Sequence, residues 1–355
     1  MRAGRDDDSM RRVATFVVLV VATVGVRAAP AAAHGVAGAQ PTNYETRIGR
    51  AEPPVAGIEL RSVELGDQLE LRNATATEVL VLGYHDEPYL RVGPDGVFEN
   101  RSSPSWAANR TSDAEVTTDE ASDERRPEWV KVGSGDTVRW HDHRAHWMGN
   151  DDPTAVREHP GREHQVLEFD VLLRQNGREI TFTGEVVWVP GPSPWPWIAI
   201  ASVLALGLAL ASRGRVWTFV IGGALVVLVA AEAIHVAGTW GATTSATSTK
   251  LAASAYSLAG IAIGVGALVW LVRSRDPYDA TPSVLVAGLF LAVAGGFADL
   301  TTLTRSQVPT TLGPVVARST VAVAIGLGVG LATAAGMRIR RPVASAGTSP
   351  PVLGG

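Results

Sequence analysis

From Trp195 onward the chain is a succession of apolar runs, each long enough to cross a bilayer, whereas residues 34–193 are polar and strand-like. A hydrocarbon core about 30 Å thick takes about 20 apolar residues in helical form. Peptide groups cannot find water there, so crossing segments are helices or a closed barrel. The spacing predicts helical spans near 196–212, 216–237, 255–272, 283–300 and 315–337. The expected fold is therefore α+β in two parts, an exported antiparallel β-sandwich over 34–193 and an all-α bundle of about five transmembrane helices over 194–341, with a disordered cytoplasmic tail over 342–355.

Basic residues set the expected orientation. Arg213 and Arg215, then Arg273 and Arg275, then Arg338, Arg340 and Arg341 fall at alternate ends of the spans, while the other connections carry only Lys250 and Arg305. The positive-inside rule then puts the N-terminal domain outside the cell membrane and the C-terminus in the cytoplasm. Residues 1–33 read as a secretory signal peptide: Arg11 and Arg12 precede an apolar run from Val13 to Val26, and Ala31-Ala-Ala33 supplies the small residues for cleavage. Cleavage after Ala33 would make His34 the mature N-terminus. Pro190-Gly-Pro-Ser-Pro-Trp-Pro-Trp197 is a stiff connection with two tryptophans suited to the membrane interface, so the head is expected close to the bilayer.

The head shows seven alternating or β-branched runs: 58–65, 68–72, 78–84, 129–132, 137–140, 166–173 and 179–189. Turn residues separate them, including Gly66-Asp67, Gly93-Pro-Asp-Gly96 and Gly133-Ser-Gly-Asp136, and Asn176-Gly177 between two such runs predicts a tight hairpin. About eight short strands favour a sandwich. Residues 100–127 are rich in Ser, Thr, Asp, Glu and Arg and read as a mobile insertion.

Within this head, His141-Asp-His143-Arg-Ala-His146 is the chemically loaded stretch. An extended His-x-His points two imidazoles to one side of a strand, and Asp142 to the other, where it serves as a structural partner rather than a ligand. His146 and Met148 lie just beyond, and either can close a coordination sphere. A terminal His34 offers its amine and its ring together, so His34, His141, His143 and His146 form a nitrogen-rich candidate set for copper. The bland alternative is a solvated polar strand face. The chain has no cysteine, which removes disulfides and the thiolate-ligated blue-copper site. His85, His159 and His164 read as exposed loop histidines.

Val132-Gly-Ser-Gly-Asp-Thr-Val-Arg-Trp140 followed by histidines resembles the strand that leads into the first copper ligand of cupredoxins, so the resemblance implies a cupredoxin/Ig-like sandwich. A closer likeness is to the exported cupredoxin-like domain of the particulate methane monooxygenase B subunit and, to a lesser degree, to periplasmic copper-resistance binding proteins. Those use a histidine exposed by signal cleavage together with later histidines, which implies copper roles for His34, His141 and His143. The head also resembles exported membrane proteins of high-GC Gram-positive, actinobacterial origin through Pro41–Thr46, Val81–Asn100 and Trp140–Gly149. That likeness carries no function with it.

In the membrane half, Glu232 and His235 stand three residues apart on one helical face, and Asp299 and Arg318 lie near the outer ends of the fourth and fifth spans. Ionisable groups there are costly enough to need partners. All four are expected to meet beneath the head as an intramembrane polar cluster that fixes helix packing, with a metal or proton path as the alternative. A net charge of −4 argues against nucleic acid as a partner. No phosphate-cradling loop, His-Glu-x-x-His or nucleophile elbow is present. The expected function is a membrane-anchored copper-binding protein for capture, buffering or delivery, partnered by the membrane and another exported or membrane copper protein. An envelope assembly protein without metal and a copper-dependent oxidase are the alternatives.

Overall fold

A computed structural model describes residues 39–109, 126–212 and 216–339. The signal segment, His34 and the tail 342–355 lie outside the described residues, as does most of the polar stretch before Glu128.

The N-terminal domain is built of antiparallel strands. A seven-stranded sheet runs β1 (Tyr44–Glu52), β10 (Arg178–Trp188), β9 (His164–Gln175), β4 (Val79–Leu82), β5 (Pro88–Gly93), β6 (Gly96–Asn100) and β7 (Trp129–Gly133). A second sheet runs β2 (Ile58–Val63), β3 (Gln68–Asn73) and β8 (Thr137–His141). Both contribute to one core, in which Leu69 and Leu71 from the small sheet and Val81, Val92, Val171 and Leu173 from the large one are sealed from solvent. Each such side chain stabilises the fold by about 1.5–3 kcal/mol on burial. Asn176 and Gly177 both have positive φ, 51° and 75°, the conformation that joins β9 to β10 with the twist that the strands need.

Three strands were not among the predicted runs. β1 shows no in–out alternation, its first five side chains all being half-buried, while β5 opens on Pro88 and is tied to β6 by the Gly93–Gly96 turn. The stretch 100–127, expected as a mobile insertion, is ordered at both ends. A short helix, α1 (Pro104–Ala108), starts at Ser103, whose hydroxyl accepts from Trp106 N, and Glu128 N returns to Asn100 Oδ1 at 2.8 Å. Its polar residues are spent inside the fold: Ser103 Oγ donates to Glu87 at 2.6 Å and Ser105 Oγ accepts from Tyr84 N at 2.8 Å. Composition read these groups as solvated because it cannot see such partners.

After a one-turn helix, α2 (Thr154–Glu158), and the proline-rich connection, the helical domain comprises α3 (Trp195–Ala211), α4 (Trp217–Ala242), α5 (Thr247–Ala253), α6 (Ala255–Arg273), α7 (Thr281–Ala294) and α8 (Pro314–Ile339). Three of these, α4, α6 and α8, are long and apolar enough to cross a membrane. A fourth crossing is possible by length if α7 is joined to the 3-10 segment Phe297–Leu303, from which it is bent by 42°. This is a multi-pass membrane protein. The expected span 283–300 is thus broken rather than continuous, and the break falls at Gly295-Gly296. Glycines on α8 set the helix spacing: an added Cβ would lie 2.7 Å from Ala201 O at Gly326 and 2.8 Å from Gly288 O at Gly328. Small residues at those positions let two neighbouring helix backbones approach closely.

The two domains are docked at two places. Thr42 and Gln307 exchange backbone hydrogen bonds of 3.0 and 2.9 Å, with Ser306 N donating to Asn43 Oδ1 beside them. The second contact is the turn Glu64-Leu65-Gly66 between β2 and β3, where three successive residues have φ of 51°, 60° and 96°. Left-handed backbone costs a non-glycine residue about 1–2 kcal/mol. What holds it is the buried Glu64 carboxylate, which accepts from Thr243 Oγ1 at 3.1 Å and from the Thr244 amide and hydroxyl. Glu64→Ala should strand those donors and lower the stability of the docked interface by about 1–3 kcal/mol. Amide exchange should quicken in residues 64–67 and 243–245, while the β9–β10 hairpin keeps its protection.

Candidate functional site

β8 delivers His141 to the end of the small sheet, opposite Gln68 on β3. There the strand stops. Asp142 caps a 3-10 turn, His143–Ala145, and its carboxylate accepts from Arg144 N at 3.1 Å. The same carboxylate is fully buried and accepts from Trp140 Nε1 at 2.9 Å, Arg144 Nε at 3.0 Å and an Arg144 terminal nitrogen at 2.9 Å. Asp142 is therefore bonded within the protein, as the cap of the turn that follows the strand. Its fork to Arg144 bends the chain back after His143.

That bend gathers three imidazoles. The His141 ring centroid lies 5.0 Å from His143 and 4.8 Å from His146, and His143 and His146 are 6.0 Å apart. His141 Nδ1 lies 2.7 Å from the Asp67 carbonyl oxygen, so Nδ1 carries the proton and donates. Its lone pair is then on Nε2, which is buried and has no hydrogen-bond partner. His146 Nδ1 is likewise buried and unpartnered. Two orphaned imidazole nitrogens on rings 4.8 Å apart are an unusual cost for a folded protein to carry. Among the described residues, no three His, Asp or Glu side chains stand so that together they could hold a metal ion.

Charge state follows from the same surroundings. For His146, burial and then the neighbouring His141 lower the pKa to about 4, so it is neutral at physiological pH. Burial also pulls His141 down, but the Asp67 carboxylate at 3.4 Å and the bond to Asp67 outweigh it, and its pKa sits above the usual histidine value. Around the cluster, Tyr84 Oη accepts from His143 N at 3.0 Å and donates to Asn109 Oδ1, while the Arg144 guanidinium lies 4.9 Å above the Tyr84 ring. Asp67 and Tyr84 are the contributors that the sequence reading missed. Gly66-Asp67 was legible only as a turn, and nothing in its spacing ties it to a histidine 74 residues on.

The other histidines divide. His159 is exposed, and His164 lies on β9 with its Nε2 2.8 Å from the His159 carbonyl. His85, expected as an exposed loop residue, is half-buried with an unpartnered Nε2, because Glu87 holds its amide at 3.0 Å and draws the loop inward. His34 lies outside the described residues, which begin at Ala39.

Of the membrane quartet, His235 and Asp299 come together, with Nε2 3.5 Å from Oδ2, and Glu232 is buried nearby. Arg318 does not join them. It turns to the backbone carbonyls of Thr302 and Arg305, at 3.2 and 2.8 Å. The 3-10 segment ends at Leu303, and carbonyls at that end and in the loop after it are capped by the guanidinium. A cavity of about 250 Å³ adjoins His235 and Asp299 and is bounded above by Ala39–Pro41 of the head.

Burial alone would raise the Asp142 carboxyl, but Arg144 and Trp140 outweigh it and hold the pKa below the usual range. A depressed carboxyl pKa contributes stability that is present at neutral pH and lost as pH falls through the folded-state value. Asp142→Asn should therefore destabilise the head by about 3–5 kcal/mol at pH 7, the cost of breaking a buried pair. Thermal melting of wild type and variant should converge as the pH falls below about 4. Comparison with known proteins finds no matching family model, curated protein or solved structure.

Proposed function

We propose that this chain is a membrane-anchored, exported copper-binding protein that captures, buffers or delivers the metal through His141, His143 and His146. The observation that carries the reading is the pair of buried, unpartnered nitrogens, His141 Nε2 and His146 Nδ1, on neighbouring rings. A donor set of imidazoles without thiolate suits Cu(II) better than the harder cations. His141 donates its other ring nitrogen to a backbone carbonyl, as metal-bound histidines commonly do, which fixes the tautomer and aims the lone pair at the cluster. The neutral His146 needs no deprotonation to bind. Copper would supply affinity and redox capacity there. What the chain contributes is orientation by Asp67 and the Asp142–Arg144 fork, and partial exclusion of water.

The wider architecture in this reading is a cupredoxin-like sandwich, with the two sheets face to face, on five spans. The 17-residue α3 is the fifth crossing, since about 26 Å of helix nearly matches the hydrocarbon thickness. The arginine distribution puts the head outside. Signal cleavage after Ala33 would add the His34 amine and ring, and mass spectrometry of the mature N-terminus tests that step. The partner is another exported or membrane copper protein, since a buffer at the membrane surface needs a donor or recipient.

Full-length protein in detergent micelles, loaded with Cu(II), should give a nitrogen-rich paramagnetic spectrum that disappears in the His141→Ala/His143→Ala variant. An unchanged spectrum overturns the assignment. Protons compete for His141, whose folded pKa is raised, so affinity should already fall below neutrality, and by about tenfold per pH unit once His141 is protonated. Isothermal titration between pH 8 and 5 reads this directly.

A further inference from the structure

At the end of the bundle away from the head, three side-chain donors are buried without a hydrogen-bond partner: Trp217 Nε1, Thr281 Oγ1 and Arg338 Nε. Trp217 opens α4, Thr281 opens α7 and Arg338 stands in the last turn of α8. The opposite ends of α4 and α8 lead to the loops that bond the β-domain. One corner holds all three. The Arg338 guanidinium lies 4.4 Å above the Trp217 ring and 5.5 Å from the Tyr278 ring. Tyr278 Oη donates to the Arg338 carbonyl at 3.1 Å, and the Tyr278 carbonyl accepts from Thr281 N at 3.1 Å. Trp217 and Thr281 are only 4% and 1% exposed. An indole N–H and a guanidinium can only donate, and a hydroxyl can do so as well, so what would satisfy this corner is an acceptor.

We propose that this corner binds the phosphate group of an anionic phospholipid from the adjoining leaflet, with Arg338, Trp217 Nε1 and Thr281 Oγ1 as donors to its oxygens. A phosphate offers several acceptor oxygens to donors from three different helices, and a guanidinium gives it charge-assisted bonds. The start of α7 adds the positive end of a 14-residue helix at Thr281. The helix ends and connections on this face hold seven arginines against two carboxylates, which favours a lipid of net negative charge over a zwitterionic one. Those carboxylates, Asp276 and Asp279, are exposed, and Asp276 Oδ1 is taken by Tyr278 N at 2.8 Å. Phe219 in the first turn of α4 and Ile339 at the end of α8 are exposed apolar side chains, placed where acyl chains would lie.

Binding takes one movement. Arg338 lifts from the Trp217 ring, a rotamer change open to a half-buried side chain in the last turn of a helix. The site does not rest on the copper reading, since it lies at the other end of the bundle and uses none of the histidines.

The test uses full-length protein in detergent micelles, stripped of native lipid and titrated with phosphatidylglycerol, phosphatidylcholine or inorganic phosphate under native mass spectrometry. Wild type should retain one phosphatidylglycerol per chain and bind phosphatidylcholine of the same chain length more weakly. Arg338→Gln should weaken the phosphatidylglycerol by about 10–100-fold, and Trp217→Phe, which keeps a ring and loses the N–H, by about tenfold. Equal retention by wild type and folded Arg338→Gln overturns the proposal. So does equal binding of the two lipids, or displacement of the lipid by inorganic phosphate alone, which would mark a site for the free ion. Where Arg338→Gln does not fold, Trp217→Phe and Thr281→Val, the latter close in shape to the native residue, carry the same test.

Discussion

The left-handed turn at Glu64–Gly66 is the constraint on which the rest hangs. Its backbone is unfavourable by itself, and it persists because the buried Glu64 carboxylate collects three donors from the loop at Thr243-Thr244. The same turn hands on Asp67, whose carbonyl fixes the His141 tautomer. Gly66 cannot carry a side chain here, since a Cβ would lie 3.1 Å from Ala145 O and closer still to Thr46 Oγ1. Local backbone strain is thus stored where an interdomain contact and a histidine cluster share one support.

Electrostatics divides the molecule's buried charges into two kinds. Asp142–Arg144 and Glu70, which lies between Arg61 and Arg139 across three strands, are neutralised and hydrogen-bonded, and so they define the fold. The histidine cluster and the Glu232–His235–Asp299 group are not neutralised in that way, and each keeps a buried polar atom without a partner. Satisfied networks rigidify a protein, whereas each buried polar atom without a partner calls for its own explanation.

How much of this was legible in the sequence follows from the range of each interaction. Strands β2, β3, β8 and the β9–β10 hairpin were readable because alternation and Asn176-Gly177 are local signals. His141 and His143 lie side by side, but not as alternate residues of one strand: the chain leaves the strand between them, and the Asp142 cap brings in His146. Strands β5 and β6 were hidden because a proline start and short length look like loop, and α1 because its serines are bonded inward. The broken fourth helix had a visible cause, Gly295-Gly296, but the turn of Arg318 to the Thr302 and Arg305 carbonyls depends on a loop conformation that only the folded chain reveals. Contacts such as Glu64 with Thr244, 180 residues apart, have no trace in local pattern.

The paired backbone bonds between Thr42 and Gln307 have a mechanical consequence. Together with the Glu64 turn they pin the head to two different helical loops, so a rotation of the β-domain about either contact alone is opposed by the other. Gln307 bonds Thr42, which directly follows the Ala39–Pro41 segment that lines the cavity and precedes β1. The β-domain is therefore seated on the bundle through two separate contacts rather than held by a single tether.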